Sequence, residues 1–480
     1  MDEKFLAVGK RTSLACLLVI ACTLCESARA QAPGAASSPA TETVSALEPA
    51  ERAPDYALPA LEIIGFDFLL NRINRNIGSD RQDYAVSLES IRRNLHSGWG
   101  VDADAFKVNQ LGHPYQGSMY HGFARSAGFN YWQSLGYTFA GSALWEIAGE
   151  TTRPSRNDQI ASGVGGTFLG EALYRMSSLL LEKGGGLSPF WRETAATAIS
   201  PSAGFNRLVM GRRLDAIFAS RDPAYYSRVQ FGLMATAQNA QGASTILKRN
   251  EIQTDFALDY GMPGKDGYGY RRPFDYFAFR ATVSSANGFE NVMTRGLLLG
   301  KDYQAGDRYR GIWGLYGSYD YISPQTFRVS TTAVSLGTTG QWNASEAVAV
   351  QGTAMAGLGY AAVGTIHGIG ERDYHYGVAP QALLSLRVIF GDRSSLDITG
   401  REYFVSRVGG AGTGGHDNIA RADIAYTWRI QKQHAITVKY LWNRRDATFS
   451  GLSDRSQTRG TVGIFYTMLG HEHFGRVEWK

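Results

Sequence analysis

Arg125, Glu146, Glu150, Asp158, Glu171 and Arg175 stand among small and apolar residues between His113 and Ser178. Charges in such surroundings are expensive to bury unless they pair or react. Glu146 and Glu150 are four positions apart, which sets both on one face of a helix. Carboxylates so placed raise one another's pKa and can act as acid and base or hold a cation. Asp158 and Glu171 complete the set of candidate catalytic carboxylates, with Arg125 and Arg175 as an anion clamp or as ion-pair partners. Glu171 and Arg175 lie one helical turn apart and can pair directly. The competing reading makes these same residues a buried ion network that pins helices in place. His113 and His121 are weak zinc candidates, because Pro114 interrupts the helix that would align them. The chain offers no nucleophile elbow and no motif that asks for an organic cofactor, so the reaction type stays open.

Two helices must position these groups. Apolar spacing predicts them over Phe129 to Ile147 and Ile160 to Leu181, separated by the breakers of Thr151 to Asp158, with Asn157 or Asp158 as N-cap of the second. The expected unit is a helical hairpin. Ser126 to Trp145 carries no charge over a length that could span a bilayer, but its Gly, Ser, Asn, Gln and Thr erode the apolar gain. Ser162, Gly166 and Gly170, spaced by four, form a small-residue stripe against which another backbone can pack closely. Leu61 to Leu95 leads into this unit, and Trp191 to Ser220 leaves it with Arg207, Arg212 and Arg213 available to anionic headgroups.

His113-Pro114, Gly117-Ser118, Ala124-Arg125, Gly128, Ser134, Trp145-Glu146, Glu150, Pro154-Ser155, Asp158, Gly165-Gly166, Gly170-Glu171 and Tyr174-Arg175 together resemble the bacterial family known as domain of unknown function 3943. The resemblance covers about residues 105–215. It implies an envelope protein and carries no established activity.

From about residue 221 the pattern changes to alternation. In Ile419 to Ile430, Arg421, Asp423, Thr427 and Arg429 fall on one face, and Ile424, Tyr426, Trp428 and Ile430 on the other. After a short turn, Ile436, Val438, Tyr440 and Trp442 repeat the apolar face opposite Thr437, Lys439 and Asn443. Similar segments continue to His473 to Lys480 and predict an antiparallel transmembrane β-barrel of about twelve strands, each near ten residues long. Tight turns at Gly391 and Gln431 to His434 alternate with long loops at 364–373, 409–418 and 446–457. Tyr and Trp placed along the apolar faces suit an interfacial aromatic girdle. A soluble secreted all-β domain is the alternative.

The chain has 480 residues, 56 of them glycine, and a formal charge of +5. That charge is too mild at this length to argue for nucleic-acid binding. Residues 1–30 read as a signal peptide, with a basic start, an apolar run and small residues at Ala28 to Ala30. Acylation at Cys22 is the alternative processing. Cys16, Cys22 and Cys25 all lie inside this segment, so the mature chain has no disulfide or cysteine metal site. Residues 31–60 form a flexible linker, 61–220 a helical domain, and 221–480 the barrel. The combined expectation is an outer-membrane protein of a Gram-negative bacterium: a channel, transporter or structural component in contact with lipid. The helical unit packs in or beneath the lumen as a plug facing Arg421, Asp423, Arg429 and Lys439. Lipopolysaccharide and small solutes are the further candidate partners. The alternative is an envelope enzyme acting on lipid or lipopolysaccharide through the carboxylates.

Overall fold

In the computed structural model, the described residues run from Asp55 to Trp479, except for 79, 103, 185, 217, 241–246, 325–326, 365, 367–369, 410–413 and 472–473. The signal segment, with Cys22 and Ala30, and the linker up to residue 54 lie outside them.

Twelve antiparallel strands close a barrel in which sequence neighbours pair and the first strand pairs with the last. They are β1 (Tyr225–Ala240), β2 (Leu247–Tyr260), β3 (Phe277–Ser284), β4 (Gly288–Ala305), β5 (Tyr309–Ile322), β6 (Arg328–Asn343), β7 (Val348–Gly364), β8 (Tyr374–Phe390), β9 (Ser394–Gly409), β10 (Gly415–Gln431), β11 (His434–Phe449) and β12 (Arg455–Leu469). Apart from the 8 residues of β3, each strand has 14 to 18 residues, longer than the expected ten-residue class. The strands run on through part of the predicted loops 409–418 and 446–457, because hydrogen-bonded pairs such as Gly415↔Phe449 and Ala447↔Arg455 continue the ladders. The predicted final strand, His473 to Lys480, does not form over its described residues, 474–479. Phe474 to Val477 instead turns into the barrel mouth.

The inner and outer faces follow from β10. Asp417, Ile419, Arg421, Asp423, Ala425 and Thr427 are buried, whereas Ile424, Tyr426 and Trp428 are exposed. The polar alternate face therefore lines the lumen and the apolar one faces out. Directly opposed residues share a face, so the register carries this assignment round the barrel: Ile424↔Ile398, Ile398↔Leu386, Gly352↔Leu386, Ala354↔Thr338 and Thr338↔Trp313 all point outward.

The lumen is filled from its own walls. Arg228 bridges to Asp397 at 2.9 Å, Lys439 to Asp255 at 3.3 Å and Arg459 to Glu290 at 3.4 Å, in each case between strands that are not neighbours. At the end with the tight turns, Tyr226, Met262, Ala349, Ile389, Ala435 and Leu469 close round Phe474 and Val477. Gln351 donates to the Gly475 carbonyl at 2.6 Å, and Gln341 to the Val477 carbonyl at 2.6 Å. At the other end Phe327, Val329, Val363, Val405 and Ile419 form a second apolar seal. A cavity of about 60 Å³ beside Asp259, Arg280 and Arg387 lies between the two ends.

Before the barrel come α1 (Ala57–Ile77), α2 (Leu88–His96), α3 (His113–Ser126), α4 (Tyr131–Ala148), α5 (Arg156–Ile160), α6 (Gly166–Lys183), α7 (Pro189–Ile199) and α8 (Pro201–Val209). The predicted hairpin is thus the centre of a larger helical domain. π-helical turns precede α3 (Val108–Gly112) and join α5 to α6 (Ala161–Gly165). Ser155 caps α5, with its hydroxyl accepting from the Asp158 N–H, so the cap falls earlier than the Asn157 or Asp158 expected from sequence. No described helix is long and apolar enough to cross a membrane.

The helical domain does not plug the lumen; it packs on the outside of the barrel. The outward positions Phe256, Leu258 and Tyr260 of β2, Phe277 and Phe279 of β3 and Tyr319 of β5 are buried, and they share one core with Leu169, Ala172, Met176 and Leu179 of α6. Gly317, on the outer face of β5, lets Phe168 approach, since a Cβ there would lie 2.5 Å from the ring. The physical reason is that the lumen already compensates its charges internally, whereas this sector of wall is aromatic and needs an apolar cover. Arg421, Asp423 and Lys439 face the lumen as expected but meet barrel residues: Arg421 donates to Asn291, Arg280 approaches Asp423, and Lys439 pairs with Asp255.

Candidate functional site

The small-residue stripe brings α3 and α6 into backbone contact. A Cβ on Gly166 would stand 2.6 Å from the Gly117 Cα, and one on Gly170 would stand 3.0 Å from the Ser118 Cα. With the helices this close, side chains from both reach the same points, and two charged clusters form.

In the first, Glu171 of α6 accepts from Arg125 of α3 at 2.8 Å and from Arg175 at 2.8 Å, and it lies 3.0 Å from His121 Nε2. Arg175 also reaches Asp275 at 3.1 Å and donates to the Pro273 carbonyl at 2.6 Å, both in the 261–276 connection between β2 and β3. Arg221 holds the other Asp275 oxygen at 2.6 Å. The Phe218 ring lies against the guanidinium groups of Arg125, Arg175 and Arg272. Burial alone would push the Glu171 carboxyl up, but Arg125, Arg175 and His121 outweigh it and hold the group well below the usual range. This cluster is compensated on every side and ties the helical domain to the barrel.

In the second, His113 at the start of α3, Glu146 near the end of α4 and Asp158 of α5 converge, with one ligand atom from each within 4.8 Å of the others. All three are buried. Glu146 Oε2 accepts from the Ser155 N–H at 2.8 Å, and Asp158 Oδ1 accepts from Asn157 Nδ2 at 2.9 Å. Ser162 Oγ lies 3.4 Å from His113 Nδ1. The hydrogen bonds continue to the barrel, because Tyr376 of β8 is held by Asn157 at 2.7 Å, and Asn109 bonds both Tyr374, at 2.8 Å, and Asp102, at 3.0 Å. Among the described residues no Lys or Arg pairs with Glu146 or Asp158. Burial, then Asp158 and Glu150, push the Glu146 carboxyl well up; burial, then Asp102, do the same to Asp158. Burial lowers His113 below the usual imidazole range, against the opposing pull of Glu150, Asp102 and Asp104.

The remaining sequence candidates separate accordingly. Glu150 lies just beyond α4, where it accepts from Trp145 Nε1 at 2.8 Å, and burial pushes it up to about 7. His113 and His121 do not meet: one faces Asp158 and the other Glu171. The single ion network expected from sequence is therefore two clusters, and only Glu171, Arg125 and Arg175 belong to the neutralised one. Asn109, Asn157, Tyr374, Tyr376 and Asp275 were not among the candidates. The adjacent tyrosines on one face of β8 were their one visible signal. Arg207, a headgroup candidate, is buried and pairs with Glu193 at 2.8 Å.

Comparison with curated proteins finds no match. Among solved structures, the barrel half is similar to the NanC porin, with 9% identity over 49% of this chain and 98% of that one and a TM-score of 0.24. It is similar to the KdgM porin at 8% identity over 49% and 98%, with a TM-score of 0.23. The translocator domain of autotransporter NalP from Neisseria meningitidis matches at 16% identity over 55% and 97%, with a TM-score of 0.23. Residues 98–202, which supply Arg125, Glu171 and Arg175 of one cluster and His113, Glu146 and Asp158 of the other, match the family model described as a domain of unknown function, DUF3943.

Proposed function

We propose that this chain is an outer-membrane barrel of a Gram-negative envelope, exported by its signal segment, whose closed barrel anchors the helical domain beside it at membrane level. One observation carries this reading: the outward face of the barrel is predominantly apolar, broken by a few polar residues such as Lys301 and Glu402, and part of it is exposed while the rest is covered by a helical domain that exposes apolar residues of its own. Leu336, Leu384, Trp428 and Ile464 form the exposed belt. On α1, Leu61, Ile64, Phe68, Leu69, Ile73 and Ile77 make an exposed stripe at helical spacing, and Phe190 and Trp191 of α7 and Leu208 and Val209 of α8 are exposed as well. A stripe of this kind left facing water is unfavourable by about 25 cal/mol per Å², and it suits the acyl boundary of a bilayer. Membrane lipid, including lipopolysaccharide of the outer leaflet, is thus a partner of both parts.

Brominated phospholipids test this. In vesicles they should quench tryptophan fluorescence, and part of that quenching should vanish when the exposed Trp132 of α4 and Trp191 of α7 are replaced by Phe. Quenching unchanged by those replacements would remove the helical domain from the bilayer.

A second reading, a conduit for a small polar solute, is favoured by the C-terminal segment. It closes the mouth through hydrogen bonds from Gln341 and Gln351 rather than through a strand, so it can leave without breaking the barrel.

A further inference from the structure

The fold treats its two buried acid clusters differently. Around Glu171 it places two guanidinium groups and an imidazole. Around Glu146 and Asp158 it places neutral donors: the Ser155 N–H on one acid and Asn157 on the other. Two buried carboxylates this close, with no Lys or Arg partner among the described residues and only the His113 imidazole beside them, require an outside cation or protons to be tolerated.

The rest of the geometry favours a cation that takes nitrogen as well as oxygen. His113 is buried, and its Nε2 faces the acids, 4.0 Å from Asp158 Oδ1, so a ring nitrogen is aimed at the point where the carboxylates converge. The three donors sit on three separate helices, and each is held by neighbours. Ser155 and Asn157 orient the acids, and Tyr376, itself held by Asn109, braces Asn157 from the barrel side. Such outer hydrogen bonds are what fixes metal ligands in place. Asn109 Oδ1 is buried in the same shell with no hydrogen-bond partner. π-helical turns lie immediately before His113 and three residues after Asp158, local distortions that recur at functional sites.

We propose that His113, Glu146 and Asp158 form a site for a divalent transition-metal ion, with Zn²⁺ preferred over Ca²⁺ and Mg²⁺ because one ligand is imidazole. The donor separation of up to 4.8 Å closes onto an ion with metal–ligand bonds of about 2.0–2.2 Å through small side-chain rotations. The ion ties α3, α4 and α5 together and, through Asn157 and Tyr376, braces them against the barrel.

The test uses the full-length protein in detergent, stripped with a chelator, equilibrated with Zn²⁺ and desalted, with zinc measured by mass spectrometry. One zinc per chain is expected, together with a raised melting temperature of the helical domain. His113→Ala and Asp158→Asn should each weaken binding by roughly tenfold or more, whereas His434→Ala, which removes an exposed histidine, should not. Barrel folding is followed separately by heat-modifiable gel mobility. Should a variant lose the helical domain, Co²⁺ binding to the wild-type chain still decides the matter, since an N/O ligand field gives visible absorption bands that Zn²⁺ abolishes by competition. A wild-type chain that retains no zinc and shows no cobalt bands overturns the proposal, as does undiminished zinc in both site variants.

Discussion

At the scale of single residues, Glu171 and Asp67 show how burial and partners set opposite pH responses. Glu171 is held well below its ordinary range by Arg125, Arg175 and His121 against the effect of burial. Its stabilisation is therefore present above the usual carboxylate range and is lost as pH falls through its depressed folded value. Glu171→Gln leaves the buried Arg125 guanidinium without its acid and Arg175 with Asp275 alone, which should cost about 3–5 kcal/mol, read as a shift in the denaturation midpoint of the helical domain. Adding Arg175→Met should recover part of that loss; a double variant weaker than the single by a full further increment would count against the pair. Asp67 of α1 runs the other way. It accepts from Tyr120 of α3, and burial pushes its carboxyl up to about 7. The folded state thus holds a proton that the unfolded chain releases near pH 4, so the contribution is full below that value and fades as pH rises towards 7. Asp67→Asn should flatten this decline in thermal scans between pH 4 and 8. An unchanged slope would mean that another group is responsible.

Among elements, the crossing of α3 with α6 and the seating of α6 on the barrel depend on glycine. A Cβ on Gly117 would come 2.0 Å from the Ser162 carbonyl oxygen, so Gly117→Ala must separate the helices. Overpacking of this kind costs about 1–3 kcal/mol or more. Gly317→Ala strikes the Phe168 ring instead, on the outer wall of β5. It should free α6 from the barrel, making the helical domain sensitive to trypsin while heat-modifiable mobility persists. Joint loss of both would show that the two parts fold as one unit. The stripe of Ser162, Gly166 and Gly170 was legible in sequence because period-four spacing of small residues has one physical use. The partner of each charge was not. Glu171 pairs with Arg175 within its own helix, where spacing alone predicts it, but the Arg175 contact with Asp275 joins residues a hundred positions apart and depends on where the helix meets the barrel.

For the molecule as a whole, alternation in strands such as β10 gave the barrel and its two faces, because a period of two must put every second residue in the lumen. The side on which the helices dock was hidden. Lumen and outer wall both offer surface to cover, and the decision lies in the sum of many aromatic contacts at Phe256, Phe277, Phe279 and Tyr319 against a lumen already neutralised by its own ion pairs. The tail departs from the expected strand for a related reason: Phe474 and Val477 are apolar in a strand-like way, but they bury in the mouth instead of joining the sheet. This placement decides between anchor and conduit. Lumen bridges such as Arg228 to Asp397 are independent of the tail, so they should keep the intact protein electrically silent in planar bilayers. Removing residues 471–480 takes away the Gly475 and Val477 carbonyls that Gln351 and Gln341 hold, and it opens the end with the tight turns. If the barrel is an anchor, the truncated protein should also stay silent, because the cross-lumen bridges remain. If it is a conduit gated by the tail, truncation should produce discrete conductance steps whose ion selectivity shifts when Arg387→Ala alters the charge beside the 60 Å³ cavity.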